Sequence, residues 1–497
     1  MNQPQPAIPT SQPPLRVPPQ EMPEPWPHIN GLPYELLTRI LRTVLLVPPY
    51  KSGVEDGLGR PVEVVIMSWV CTLWRQVILN TPQLWAEWEF PITPPWKWTD
   101  SFYSLAPVAT KMPVNIPMNN LFLERSAHVP ISVALQYDQP HNNPNSPLVS
   151  SLLRNAQRWK SFTFSYDSFE TDSTGVDYSL LSRIPVGVME NLERLCLVCP
   201  KLSADVADTF RRAPCLRDVT IELVTGLSHI PSIPWNQLTR LDFRYQSGGV
   251  CLDILAQCPN LVSVMICADQ WSSVSVPDVS TPMTLDQLEK LRIVIRICST
   301  GEHFGPFLRR FECPILKSLE LALSLENAGD TEGYIPEVEP DLVPFLMQSS
   351  NIEELELSAC VFSHNLSDIL PLIPHLKEFE YSLTGMEGVN DEFFEALRYT
   401  PESESPPLAP KLQVLHIRDA GRDFDEQNLV KMIRSRWWLD DELEGMSSPP
   451  RVARLKDFSF VNNNHMDPPE PNFSDEFRQE MKTLWSQGLK LSIYVRP

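Results

Sequence analysis

The chain has 497 residues, 42% of them hydrophobic and 21% charged, and its 41 Lys and Arg stand against 62 Asp and Glu for a net charge of −21. That length holds one long domain with a smaller one beside it, and so negative a field repels phosphate backbones and anionic lipid, which argues against nucleic-acid and membrane partners. Fifty prolines against 18 glycines announce rigid turns and frequent breaks between segments. Ten cysteines are too few for a disulfide framework. Those in Leu195-Cys196-Leu197 and Val264-Met265-Ile266-Cys267 sit in apolar runs, as expected of reduced thiols in a cytoplasmic and/or nuclear protein. No apolar run is long enough to span a bilayer, and the first residues do not form a leader, so the expectation is a chain neither exported nor embedded.

Residues 1–27 carry ten prolines and few apolar side chains, which predicts an extended tail. The character changes at Asn30-Gly31-Leu32-Pro33. Leu36, Leu37, Ile40 and Leu41 recur at helical spacing until Pro48-Pro49, which cannot continue a helix. After an insertion over Ser52–Arg60, the spacing predicts one helix over 62–79, with Val65, Ile66, Trp69, Val70, Leu73, Trp74, Val77 and Ile78 on a broad apolar face. So much tryptophan and leucine on so small a unit calls for a covering surface.

Three blocks in this region resemble the F-box of fungal F-box proteins in order and internal spacing. They are Leu32-Pro33-Tyr34-Glu35-Leu36-Leu37 with Ile40-Leu41, then Val70-Cys71-Thr72-Leu73-Trp74-Arg75-Gln76-Val77-Ile78, then Thr81-Pro82-Gln83-Leu84-Trp85. The resemblance implies a three-helix module over 28–90 that docks on the small Skp adaptor of a Skp/cullin/F-box ubiquitin ligase and reaches cullin through it. Leu32, Pro33, Leu36, Ile40, Val70, Trp74, Leu84 and Trp85 would then lie against the adaptor. The 52–60 insertion departs from the pattern by lengthening the link between the first two helices.

Residues 91–150 read as a linker and N-terminal cap: Leu121–Ser126 as a helix end, then Val129–Leu135 as a strand. From 151 to 497 a unit recurs, a leucine followed three and five residues later by apolar residues. It leads at Leu192, Leu216, Leu238, Leu261, Leu288, Leu316, Ile352, Leu376, Leu412 and Leu455, with Trp159 as a first rung. Between rungs lie helical stretches at 204–213, 250–258, 304–311, 341–348, 366–373, 391–399 and 425–438, and several end in a proline that leads the next strand, as at Ala213-Pro214 and Cys258-Pro259. A strand of a few residues cannot bury its apolar face alone, so the units must stack. The predicted fold is α/β: a small all-α module followed by a leucine-rich-repeat solenoid, a horseshoe with a parallel sheet.

Chemistry is scarce. Gly57-Leu58-Gly59 lacks the third glycine and the preceding strand of a dinucleotide fingerprint, and phosphate-loop, serine-elbow and His-Glu-x-x-His patterns do not occur. Cys196-x-x-Cys199 lacks further ligands at metal spacing and reads as repeat packing. No enzyme activity, cofactor or metal is expected. Recognition falls to the outward strand positions: basic Arg240, Arg244, Lys290 and Arg292, then Glu354, Glu356, Glu378 and Glu380, a surface of two signs for a protein target. The functional expectation is the substrate-recognition subunit of such a ligase, catalysis lying in other subunits. The alternative is a non-catalytic interaction scaffold whose F-box-like helices act without a cullin ligase.

Overall fold

The computed structural model describes residues 31–46, 61–86, 89–91, 116–137, 147–166, 179–185, 187, 189–199, 209–223, 232–246, 248–269, 282–296, 305–324, 339–358, 368–382, 389–403, 405–418, 424–445, 449–462 and 473–495. The 1–27 tail and the 52–60 insertion lie outside the described residues.

Four helices open the chain: α1 (Tyr34–Leu46), α2 (Pro61–Met67), α3 (Thr72–Asn80) and α4 (Pro82–Ala86). The single helix expected over 62–79 is thus two, although no glycine or proline divides it. Ser68 Oγ donates to the carbonyl of Val65 at 2.6 Å, and Cys71, in extended backbone, caps α3 by accepting from the Trp74 amide through Sγ at 3.4 Å. A side chain that satisfies an amide at a helix start fixes where the helix begins. Tyr34 Oη and Thr81 Oγ1, 2.7 Å apart, tie the start of α1 to the end of α3.

The rest is α/β around one large parallel sheet. Its strands are β1 (Glu89–Pro91), β2 (Ile131–Tyr137), β3 (Trp159–Tyr166), β4 (Arg194–Cys199), β5 (Asp218–Leu223), β6 (Arg240–Gln246), β7 (Ser263–Asp269), β9 (Lys290–Arg296), β11 (Ser318–Ser324), β12 (Glu354–Ser358), β13 (Glu378–Ser382), β14 (Val414–Arg418), β15 (Asp457–Asn462) and β16 (Lys490–Val495). They lie side by side in chain order as a 14-stranded sheet, while β8 (Met283–Thr284) and β10 (Phe311–Glu312) form a separate parallel pair. The sheet starts at β1, ahead of the 151 boundary read from the repeats. Of the helices expected at 366–373 and 304–311, the described residues 368–373 hold a 3-10 turn, Leu370–Leu372, and 305–311 hold the helix Gly305–Leu308. Pro371 removes an amide inside the first, and the second gives way to β10 at Phe311.

Register explains why the repeat holds. Leu291, Leu319, Leu355, Phe379, Leu415 and Phe458 face one another across neighbouring strands, and so do Ile293, Leu321, Leu357, Tyr381, Ile417 and Phe460. All twelve are buried, so two apolar rows run through the sheet beneath the helices. Just before the strands a backbone ladder continues the pairing. The amides of Lys317, Glu353, Lys377, Gln413 and Lys456 donate to the carbonyls of Glu289, Lys317, Glu353, Lys377 and Gln413 at 2.7–2.9 Å. Asparagine side chains staple successive turns the same way: Asn260 Nδ2 donates to the Asn236 carbonyl and Asn351 Nδ2 to that of Pro314. At the far end Phe394, Phe424, Phe460, Phe473 and Phe477 form a chain of rings with centroids 4.5–5.8 Å apart. Among the described residues no helix is long and apolar enough to cross a membrane.

One buried cation closes the layer of turns. Arg436, fully buried at the end of the helix Glu426–Arg436, donates to the carbonyls of Leu397 (2.6 Å), Ala409 (3.0 Å) and Leu408 (2.5 Å). Burial lowers its pKa to about 10, which leaves it charged at neutral pH.

The inward and outward positions of one strand should separate cleanly in stability. Leu355→Ala is expected to cost about 2–5 kcal/mol. Glu354→Ala, one residue away on the other face, should stay within about 0.5 kcal/mol. Urea midpoints of the two variants check this; equal losses would contradict the register.

Candidate functional site

Among the described residues, two surfaces stand out. The first lies on the opening helices. Leu37 and Leu41 of α1 are buried, whereas Leu36 is 49% exposed and Ile40 and Val44, one and two turns on, are exposed too. At the turn between α2 and α3 Trp69 is 70% exposed, with Ile66 and Val70 beside it in sequence and also open. Large apolar side chains exposed in a row along one helix face, as Leu36, Ile40 and Val44 are, mark a place where another surface fits.

The eight residues assigned to this face divide. Pro33, Leu36, Ile40 and Val70 are exposed, and Leu32 and Trp74 are half-buried. Leu84 and Trp85, at 1% and 2% exposure, are not available to a partner at all. The Trp85 indole donates to the carbonyl of Ile78 at 2.7 Å, meets the Phe122 ring edge-on with centroids 4.9 Å apart, and lies under the Arg125 guanidinium. Trp85 therefore fastens the front helices to the helix Ile116–Arg125. Helical spacing identifies apolar residues but not which surface covers them, and here the chain's own body covers these two. Val44, Ile66 and Trp69 take their place among the exposed residues.

The second surface is the outward face of the sheet. Register brings Asp242, Met265, Arg292, Glu320, Glu356, Glu380, His416 and Ser459 into one row across β6, β7, β9, β11, β12, β13, β14 and β15. A parallel row, Arg240, Ser263, Lys290, Ser318, Glu354, Glu378, Val414 and Asp457, lies one step nearer the strand starts. Five carboxylates thus meet on β11, β12 and β13, with strands about 4.8 Å apart.

The basic residues are largely engaged within the sheet. Arg244 bridges Asp242 at 3.0 Å and Glu222 at 3.8 Å, Arg292 meets Glu320 at 2.7 Å, and Arg240 lies 3.9 Å from Asp218. Lys290 is exposed between Ser263 and Ser318. On the acidic side Glu380 receives Arg418 at 3.0 Å and His416 at 3.6 Å, and His416 also lies 3.5 Å from Asp457. Glu356, between Glu320 and Glu380, keeps a hydrogen bond to Ser358. The two-signed surface is therefore neutralised at its basic end, and its excess charge is negative.

The titration of the row follows. Burial, then the neighbouring Glu356, pushes the Glu320 carboxyl up to about 7 despite Arg292. Burial and Glu380 raise Glu356 as well. Burial also opposes ionisation of Glu380, but His416 and Arg418 prevail and hold it below the usual carboxylate range. The same hydrogen bond, with Asp457, raises His416. A contrasting row shows what balance looks like. Just before the strands, Glu289–Lys317 and Glu353–Lys377 pair at 3.0 and 2.7 Å, alternating in sign where the outward row repeats one sign. Cys196 is half-buried and Cys199 fully buried, and desolvation pushes both thiols up to about 12, so they stay protonated as packing groups.

Stability should fall as pH rises from about 5 to 8. Glu320, Glu356 and His416 all hold protons more tightly folded than unfolded, so each contributes most below its unfolded pKa and less as pH climbs through its folded value. Glu320→Gln should flatten that slope and raise the urea midpoint at pH 8 relative to the parent. A steeper slope in the variant would contradict the reading.

No protein-family model and no curated protein matches this chain.

Proposed function

We propose that the chain is a receptor subunit of a Skp/cullin/F-box ubiquitin ligase. Residues 28–90 bind the Skp adaptor and through it cullin. Residues 91–150 link this module to a leucine-rich-repeat horseshoe over 151–497 that holds a protein target. The observation that carries the reading is the exposure of Leu36, Ile40, Val44, Ile66, Trp69 and Val70 on α1, α2 and the turn that follows α2, beside the buried Leu37, Leu41 and Val64. Interfaces concentrate their energy in a few such anchors. Sequence adds the three F-box-like blocks, and the strand register adds rows of outward side chains long enough to grip a polypeptide. The carboxylates of β11, β12 and β13 suit a target segment rich in Lys or Arg. Ubiquitin transfer itself is the work of other subunits, and this chain contributes by holding its target near them.

A second reading has an observation of its own. Trp85 locks the front helices to the body, as an N-terminal cap of the sheet would require, and such a cap in an interaction scaffold has no use for cullin.

Adaptor binding discriminates. Leu36→Ala combined with Ile40→Ala should weaken the Kd for the Skp adaptor by roughly 30-fold or more, since even a single such anchor is worth about 2 kcal/mol. The melting temperature should hardly change, because both side chains are already solvent-exposed. Unaltered affinity in the double variant, or no adaptor binding by the parent chain, would favour the cap.

A further inference from the structure

The stretch after the helix Asp391–Leu397 carries a feature that target binding leaves unused. Ser403, Ser405, Pro406 and Pro407 share a concavity of about 290 Å³ with Arg398, Tyr399 and Arg451. Two guanidinium groups and two serines thus line one small basin, independently of the sheet's acidic row.

Its floor is fixed. Arg436 holds the carbonyls of Leu397, Leu408 and Ala409, one just before the stretch and two just after it. Tyr399 donates its amide to Ser435 Oγ at 2.9 Å and accepts the Arg451 amide on its hydroxyl at 3.2 Å. Its rim is open: Ser403, Ser405, Pro406, Arg398 and Arg451 are exposed. Arg451 Nη2 donates to the Ser403 carbonyl at 2.6 Å, and Arg398 reaches Glu395 only through long contacts of 3.4 Å. Arg451 thus reaches the serine stretch directly and Arg398 lines the same concavity, each through contacts that a stronger anion can replace. Pro406 restricts Ser405 to extended backbone, the form in which a segment enters a kinase cleft. A phosphoserine carries about −1.5 to −2 charge and three acceptor oxygens, which Arg recognises in forked geometry.

We propose that Ser405 is a phosphorylation site whose phosphoryl group is clamped by Arg398 and Arg451, fastening Ser405 to the fixed floor. A proline-directed Ser/Thr kinase transfers the γ-phosphoryl group of ATP to Ser405 Oγ. The bond to ADP breaks, the new P–O bond forms, and the hydroxyl proton leaves. The clamp exchanges the Glu395 and Ser403 contacts for charge-assisted bonds to phosphate.

The test uses the full-length chain, a proline-directed Ser/Thr kinase and magnesium ATP, with mass-spectrometric site mapping followed by limited proteolysis with a Glu-specific protease. Phosphate is expected on Ser405 and missing from that segment in Ser405→Ala. Phosphorylation should slow cleavage after Glu402 about tenfold in the parent, and less than twofold in the Arg398→Gln, Arg451→Gln double variant. The altered arginines are exposed and lie outside the core, so that variant should fold normally. Phosphate on Ser403 instead, no phosphate, unchanged cleavage in the parent, or equal protection in the double variant would each overturn the proposal.

Discussion

Lateral registration of apolar side chains is the constraint on which the molecule rests. Strands of five to seven residues have no stability alone, and each becomes stable only when its inward residues meet those of both neighbours. The row from Leu291 to Phe458 does this across six consecutive sheet strands without a change of register. Once it is fixed, everything on the opposite face is fixed too, because successive side chains of a strand alternate. The outward rows inherit their alignment from the core.

That inheritance explains the charge pattern. In the row just before the strands, neighbours alternate in sign and neutralise one another. Two steps further on, three glutamates stand side by side, and the flanking Arg292, His416 and Arg418 satisfy only the outer two. Like charges on adjacent strands oppose folding. A fold that carries them on its open face, and keeps exposed leucine, isoleucine and tryptophan on its front helices, leaves unmet demands at two separated places. A protein that bridges two others has use for both.

Much of this could be read from the sequence, and the limits have physical causes. The leading leucines reveal strands because inward positions recur at fixed offsets, and Glu354, Glu356, Glu378 and Glu380 could be placed together because their rungs are consecutive. The consecutive rungs at Leu288 and Leu316 place Arg292 beside Glu320, but that the two side chains bond to each other rather than to a partner is decided by side-chain geometry, which spacing does not give. The break between α2 and α3 escaped because Ser68, Trp69, Val70 and Cys71 include no helix breaker; side-chain hydrogen bonds make the division. The F-box resemblance points Leu84 and Trp85 at an adaptor, but a shared motif does not say which of two apolar surfaces covers them, and here both are buried within the chain. Arg436 reads as an ordinary basic residue in a last helical turn, and only its three carbonyl partners reveal a clasp.

Under the proposed function, the opening helices keep an apolar face for a second polypeptide while the sheet is complete without one. Hydrogen–deuterium exchange of the full chain, alone and with saturating Skp adaptor, measures this directly. The amides of 319–321, 355–357, 379–381 and 415–417 should exchange slowly and identically in both samples, while those of 34–44 and 64–70 should exchange several-fold more slowly with the adaptor than without it. No change in the front helices on adding the adaptor, or slowing confined to the sheet, would contradict it.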